Sequence, residues 1–405
     1  MWQTILKSVE DARIRSVSIA LLLLGFTYAS TFPYQSIIGI NQLGLSQAQM
    51  GLLIFGVGLT GMIGNLTLGH FSDFARDRKT AILFSLGVGC LGFGAFAMWP
   101  SLVTFLICLL LVMPISGSTY SQLFAVVRSI TAEQGLREAA SVNSTIRAFY
   151  ALSWILVPGL VGTFIATRKN VSDSFAVAAL AFALCFVFYL VLGPSGGHNE
   201  ANANGGWVGL KEAMGLIFEA RVFRRVMALS FIQGPHPLNA ALLPLLITSL
   251  PHGTTADVGI LAGVVAALEI PFMLLAATLN HRWHTWMLVV LGASSHITYL
   301  LCLGLVHNVA ALYVLAVLNA AGASVLLTLH MSYVQELLPE RPGLATSLLS
   351  IVSLGSRALS AVVFAGIGLL YAYAGAAAVM AVVVGVGCVA IMVLDAKGGI
   401  LRNST

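Results

Sequence analysis

Three ionisable side chains lie deep inside long apolar runs of this chain: Arg147, Glu269 and Arg357. An unpaired charge at mid-membrane costs about 2.5 to 3.5 kcal/mol even on the mild insertion scale, so each must face a polar cavity or a counter-charge. Glu269 is the only carboxylate at that depth, about ten residues or about 15 Å of helical rise from the end of its run. Such a carboxylate takes up or releases a proton as water or a cation reaches it, and Arg147 or Arg357 would bias its charge. A permanent ion pair that holds the protein together is the other reading of the same residues.

Neutral polar side chains collect near the midpoints of the first, fourth, seventh and tenth runs. Tyr28, Thr31 and Gln35 follow helical spacing i, i+3, i+7 and so share a face. Tyr120 and Gln122 come from the fourth run and Asn319 from the tenth. Gln233, His236 and Asn239 surround Gly234-Pro235-His236-Pro237, where proline frees backbone carbonyls that are tolerated only beside a cavity. Hydroxyls, amides and rings in this mixture suit a neutral, hydroxyl-rich ligand such as a sugar. For any one of them alone, a hydrogen bond between helices is the more ordinary role, and it is the cluster that points to a ligand. Phe149, Tyr150 and Trp154 keep a more apolar substrate open.

Other chemistry finds no support. Cys90, Cys108, Cys185, Cys302 and Cys388 sit in apolar runs without a close pair, and His281, His284 and His330 lack ligand spacing, so neither disulfide nor metal is expected. Gly56-Val-Gly58-Leu-Thr-Gly61 matches a dinucleotide pattern only in form, because no strand precedes it. There is no phosphate loop, which excludes ATP-driven pumping by this chain, and no recognisable set of nucleophile, base and oxyanion donors. No enzyme activity, catalytic residue or cofactor is expected.

The elements that position these residues are membrane helices. Of 405 residues 58% are hydrophobic and 9% charged, with a mean hydropathy of +0.94, whereas a water-facing domain carries about 25% charge. Twelve apolar runs are long enough to span: 14–38, 47–70, 80–98, 101–127, 139–166, 174–192, 221–249, 257–279, 286–306, 309–333, 343–371 and 375–395. The first exceeds a signal-peptide core and has no small-residue cleavage pattern, so it is expected to be retained. With both termini cytoplasmic, sixteen of the twenty Lys and Arg fall inside, and only Arg168 and Lys169 outside. The net charge of +5 therefore orients the chain in the bilayer and implies no nucleic-acid partner.

A Gly- and Asn-rich stretch at 193–220 separates two sets of six runs, 1–192 and 221–405. Phe26-Thr-Tyr and Phe231-Ile-Gln, like Gly117 and Gly322, lie 205 positions apart; Met50-Gly and Val258-Gly lie 208 apart. The near-constant offset predicts an all-α membrane protein of twelve helices in two pseudo-symmetric six-helix bundles around a central cavity.

After the second run stands Gly69-His-Phe-Ser-Asp73-Phe-Ala-Arg-Asp77-Arg78-Lys79, which resembles the loop motif of the major facilitator superfamily, with Phe71 and Arg76 departing from it. The resemblance implies that fold and a cytoplasmic gate of Gly69, Asp73, Asp77, Arg78 and Lys79, with Asp73 set against the helix that opens at Arg341-Pro342-Gly343. Pro158, Gly159 and Gly162 are similar to part of the exporter signature of helix 5, and a generic kinked helix fits them as well. Ala262 to Ala276 around Glu269 and Pro271, together with Tyr333 to Thr346, resemble the SET sugar-efflux family. That likeness implies a monomeric, proton-coupled exporter of small sugars or glycosides in the bacterial inner membrane. Multidrug or siderophore export, proton-coupled uptake, and a non-transporting receptor are the alternatives.

Overall fold

The structure is a computed structural model that describes residues 11–74, 78–133, 139–195, 211–212, 215, 219–338, 342–366 and 373–396. Among the described residues twelve membrane helices follow one another and no strand occurs. They are α1 (Ala12–Gln42), α2 (Gln47–Phe74), α3 (Arg78–Met98), α4 (Leu102–Glu133), α5 (Ala139–Arg168) and α6 (Asp173–Leu192). Then come α7 in two parts (Ala220–Gln233 and Pro235–Ser249), α8 (Thr255–Leu279), α9 (Thr285–Leu303), α10 (Val309–Leu337), α11 (Pro342–Ala365) and α12 (Tyr373–Ala396). Eleven are long and apolar enough to cross a membrane unbroken; α7 is divided at Gly234.

Each helix starts within two residues of the position its hydropathy predicts. Two ends differ by six residues. α4 runs on to Glu133, because polar residues beyond the hydrocarbon still continue a helix, and α11 stops at Ala365. Ser101, Thr254 and Asn308 begin α4, α8 and α10 by accepting hydrogen bonds from backbone N–H groups of the first turn. The starts of α1 to α4 and of α7 to α10 differ by 207 or 208 positions, as a duplicated scaffold requires.

The helices group into two compact units. Unit 1 comprises Met1–Ile38, Thr60–Asn202 and Val258–Gly263; unit 2 comprises Gly39–Leu59, Ala203–Asp257 and Val264–Thr405. In unit 1, Phe93, Phe96, Phe105, Phe175 and Phe182 are fully buried and stack on one another from α3, α4 and α6, with centroids 4.5 to 6.1 Å apart. In unit 2, Leu229, Ile232, Val289, Leu300, Val384 and Ile391 fill the interior. Leu91, Leu160, Val191, Val314, Leu305 and Val362 are more than 60% exposed, a belt that suits hydrocarbon and not water.

Candidate functional site

α1 leaves α-helical geometry at Phe32-Pro33-Tyr34, because Pro33 has no N–H to continue the ladder and a 3₁₀ turn forms. The face expected to unite Tyr28, Thr31 and Gln35 is interrupted there. Tyr28 Oη and Ser116 Oγ of α4 share a buried hydrogen bond of 2.8 Å. Thr31 Oγ1 turns onto its own backbone, 3.4 Å from Thr27 O. Gln35 is half-buried, its Nε2 3.9 Å from Met113 Sδ. Tyr34, a residue the sequence did not single out, is fully buried and donates to Pro158 O at 2.7 Å.

The same turn sets Phe32 edge-on to Trp154 of α5, with centroids 5.7 Å apart. From Trp154 the rings continue to Tyr150 at 6.4 Å, to Tyr120 at 4.9 Å and to Phe124 at 4.9 Å. The Arg147 guanidinium closes the series, 5.5 Å from the centroid of Phe124. Arg147, Tyr150 and Trp154 are spaced i, i+3, i+7 on α5, and Tyr120 and Phe124 i, i+4 on α4, so helical geometry alone aligns them. All five rings are half-buried, unlike the sealed phenylalanine core of the same unit. Gln122, between Tyr120 and Phe124 in sequence but turned toward α3, is buried; its Nε2 donates to Ser118 Oγ at 2.9 Å and to Ser85 Oγ of α3 at 3.4 Å, while its Oε1 is sealed without a donor.

In unit 2, α7 breaks where Pro235 and Pro237 remove two backbone donors. Gly234 O is taken by Ser360 Oγ of α11 at 2.7 Å, a partner from outside the helix for a carbonyl at the break. Around this break Gln233 is half-buried with Nε2 sealed and unpaired, and His236 is exposed. Asn239 Oδ1 accepts from Tyr299 Oη of α9 at 2.8 Å. Asn319 is buried, its Oδ1 3.3 Å from Nε2 of His296, also on α9. Neither Tyr299 nor His296 stands out in a hydropathy reading, since both lie in a run that is long enough to span. Their i, i+3 spacing in that run was the available signal.

Glu269 is half-buried, two residues before Pro271, and has no hydrogen-bond or ion-pair partner among the described residues. Arg357 is likewise without an ion pair among the described residues and lies across Gly58 of α2, where an added Cβ would stand 2.3 Å from its Cδ. At α8, an added Cβ on Gly259 would lie 1.9 Å from Pro158 O and 2.4 Å from Tyr34 Oη, so α5 and α8 touch backbone to backbone.

Of the loop motif, Gly69 and Asp73 lie in the last turns of α2, and Asp77 and Arg341 lie outside the described residues. Arg78 Nη1 donates to Ala125 O at 3.3 Å and Lys79 Nζ to Gly193 O at 2.8 Å. His330 donates from Nδ1 to Leu326 O of its own helix at 2.7 Å. No group of three or more potential metal ligands occurs among the described residues. One cluster is new: Arg225 of α7 meets Asp395 of α12 at 2.7 Å, both largely buried, and Tyr333 of α10 donates to the other carboxylate oxygen at 2.7 Å.

Comparison with known proteins places this geometry. The chain is 28% identical to sugar efflux transporter B of Salmonella typhimurium over 82% of either chain. It is 27% identical to sugar efflux transporter A of Dickeya chrysanthemi over 84% of its own length and 85% of that protein. Among solved structures, the nucleoside transporter NupG superposes with a TM-score of 0.81 at 13% identity, covering 94% of this chain and 98% of that one. The sequence profile of the Major Facilitator Superfamily matches residues 17–303, most of the chain, and with the twelve-helix fold this shows that the protein is a multi-pass membrane transporter belonging to the major facilitator superfamily.

Proposed function

We propose that this transporter exports small sugars or glycosides from the cytoplasm by alternating access, in exchange for a proton carried by Glu269. The observation that carries the reading is the half-buried series of rings from Phe32 to Phe124, which includes the phenols of Tyr120 and Tyr150 and is ended by Arg147. Ring faces match the apolar faces of a pyranose, and amides match its hydroxyls. The relatives are sugar efflux transporters, which agrees with that chemistry.

Glu269 fits proton exchange because it is held in the bilayer half-buried with no fixed counter-charge among the described residues. A monomer suffices, since each unit has its own core. The charge distribution supports a bacterial inner-membrane protein with both termini and the 193–220 linker cytoplasmic, and the loop motif supplies the cytoplasmic gate.

In proteoliposomes, labelled methyl β-glucoside should exchange with unlabelled sugar in wild type and in Glu269→Gln. Only wild type should accumulate sugar against its gradient when a pH step is imposed. Accumulation that survives in Glu269→Gln removes the proton role. Absence of exchange in wild type with methyl glucosides, galactosides and disaccharides removes the sugar reading. The rings equally suit a flat aromatic drug, and competition by such a compound at lower concentration than any sugar favours drug export.

A further inference from the structure

We infer that α9 supplies two positioning residues, His296 and Tyr299, which take the amide oxygens of Asn319 and Asn239 and so leave both amides presenting only N–H donors to the substrate. The inference rests on the sugar-binding reading above for the location of the substrate. Its structural part stands on unit 2 alone.

The direction of each hydrogen bond follows from what is left over. His296 is 1% exposed, and its Nδ1 is sealed without a partner. A neutral imidazole has one N–H, and a buried orphan N–H is rarer and costlier than a bare lone pair. The proton therefore sits on Nε2, which donates to Asn319 Oδ1 at 3.3 Å. The same rule applies to Tyr299, 2% exposed, whose hydroxyl proton goes to Asn239 Oδ1 at 2.8 Å.

Once the oxygens are engaged, the Nδ2 groups remain. Neither Nδ2 has a hydrogen bond among the described residues, and neither is among the sealed unpaired atoms, so both stay open. Asn239 lies one turn beyond exposed His236 on α7.

The imidazole is held by absence as much as by bonding. An added Cβ on Gly322 of α10 would lie 2.8 Å from His296 Cγ and 3.0 Å from its Nδ1, and one on Gly292 of α9 would lie 2.7 Å from Val325 Cβ. These two glycines bring α9 and α10 close enough for the ring to reach Asn319, one turn before Gly322.

Two donor-only amides read acceptor atoms: hydroxyl lone pairs, the ring oxygen and the glycosidic oxygen. A hydroxyl read in this way tolerates replacement by fluorine, which keeps a weak acceptor, better than replacement by hydrogen.

The test is calorimetric binding of methyl β-glucoside and its single-position deoxy and deoxyfluoro analogues to purified protein. Wild type should show at least one position where the fluoro analogue binds about fivefold more tightly than the deoxy analogue. Tyr299→Phe and His296→Ala should each bring that ratio to about one at the affected position and weaken the parent sugar by about tenfold. His296→Gln, which restores a donor near Nε2, should recover the ratio. Equal ratios in wild type and both variants overturn the inference, as does a uniform loss for every analogue in Tyr299→Phe with an unchanged melting temperature. Failure of wild type to bind any glycoside is a different result, and overturns the sugar reading itself.

Discussion

Two corresponding regions of the repeat treat an amide in opposite ways. On α3 and α4, Ser85 and Ser118 accept from the Nε2 of Gln122, and its oxygen is left over. On α9 and α10, His296 donates to the oxygen of Asn319, and its nitrogen is left over. The surroundings differ too. On α4 a half-buried ring series runs through Tyr120 and Phe124, two residues either side of Gln122, while Asn319 is met by the buried imidazole of His296. Within a bilayer, the role of a polar side chain is thus set by which end its neighbouring helix captures, since no water is present to restore the other end. Taken separately, unit 1 holds the half-buried ring wall and unit 2 holds the amides whose oxygens are engaged.

The largest expected effect tests the ring wall. Trp154→Ala removes the ring that joins Phe32 to Tyr150 and should lower kcat/KM for sugar export by about a hundredfold, while Trp154→Phe keeps most of it. If Trp154→Ala transports normally and His296→Ala does not, the apolar contribution has been assigned to the wrong half. A smaller effect is expected at the end of the wall. Arg147→Ala should raise KM about tenfold and Arg147→Lys about threefold, because the flat guanidinium over Phe124 is replaced by a more strongly hydrated ammonium. Equal KM values for the two variants would show that charge alone matters there.

The smallest effects sharpen the comparison through matched glycines. Gly322→Ala pushes against an imidazole 2.8 Å away and should lower the melting temperature of the solubilised protein by a few degrees, at a cost of about 1 to 3 kcal/mol. Gly117→Ala, at the equivalent position, meets only the Tyr28 hydroxyl at 3.7 Å and should melt within about one degree of wild type. Thermal scans of both variants in one detergent decide it.

The helix starts and the break in α7 were legible because hydrocarbon thickness and proline chemistry act locally, on residues adjacent in the chain. Tyr150 and Trp154 were legible as aromatic residues of α5. Their partners Phe32 and Phe124 were not, and Tyr120 was legible as a polar residue of α4 but not as part of a ring series, because ring pairing depends on how helices pack and on the 3₁₀ turn at Pro33, neither of which helical periodicity contains. The Arg225–Asp395–Tyr333 cluster was hidden for another reason. A reading of loop charge treats Arg225 as an orientation signal and Asp395 as the end of a span, whereas the fold buries them together. Glu269 was found by its depth, and its depth alone could not reveal that it has no partner among the described residues.

Gly117 and Gly322 occupy the same place in the repeat, and one adjoins a phenol hydroxyl where the other adjoins an imidazole. What the duplication handed to both halves at that point is a vacancy beside the fourth helix of each set, and each half has furnished it separately. A search for the functional residues of one half by copying letters from the other would pass over His296. Copying the missing side chain, and asking what has moved into the room it leaves, finds it.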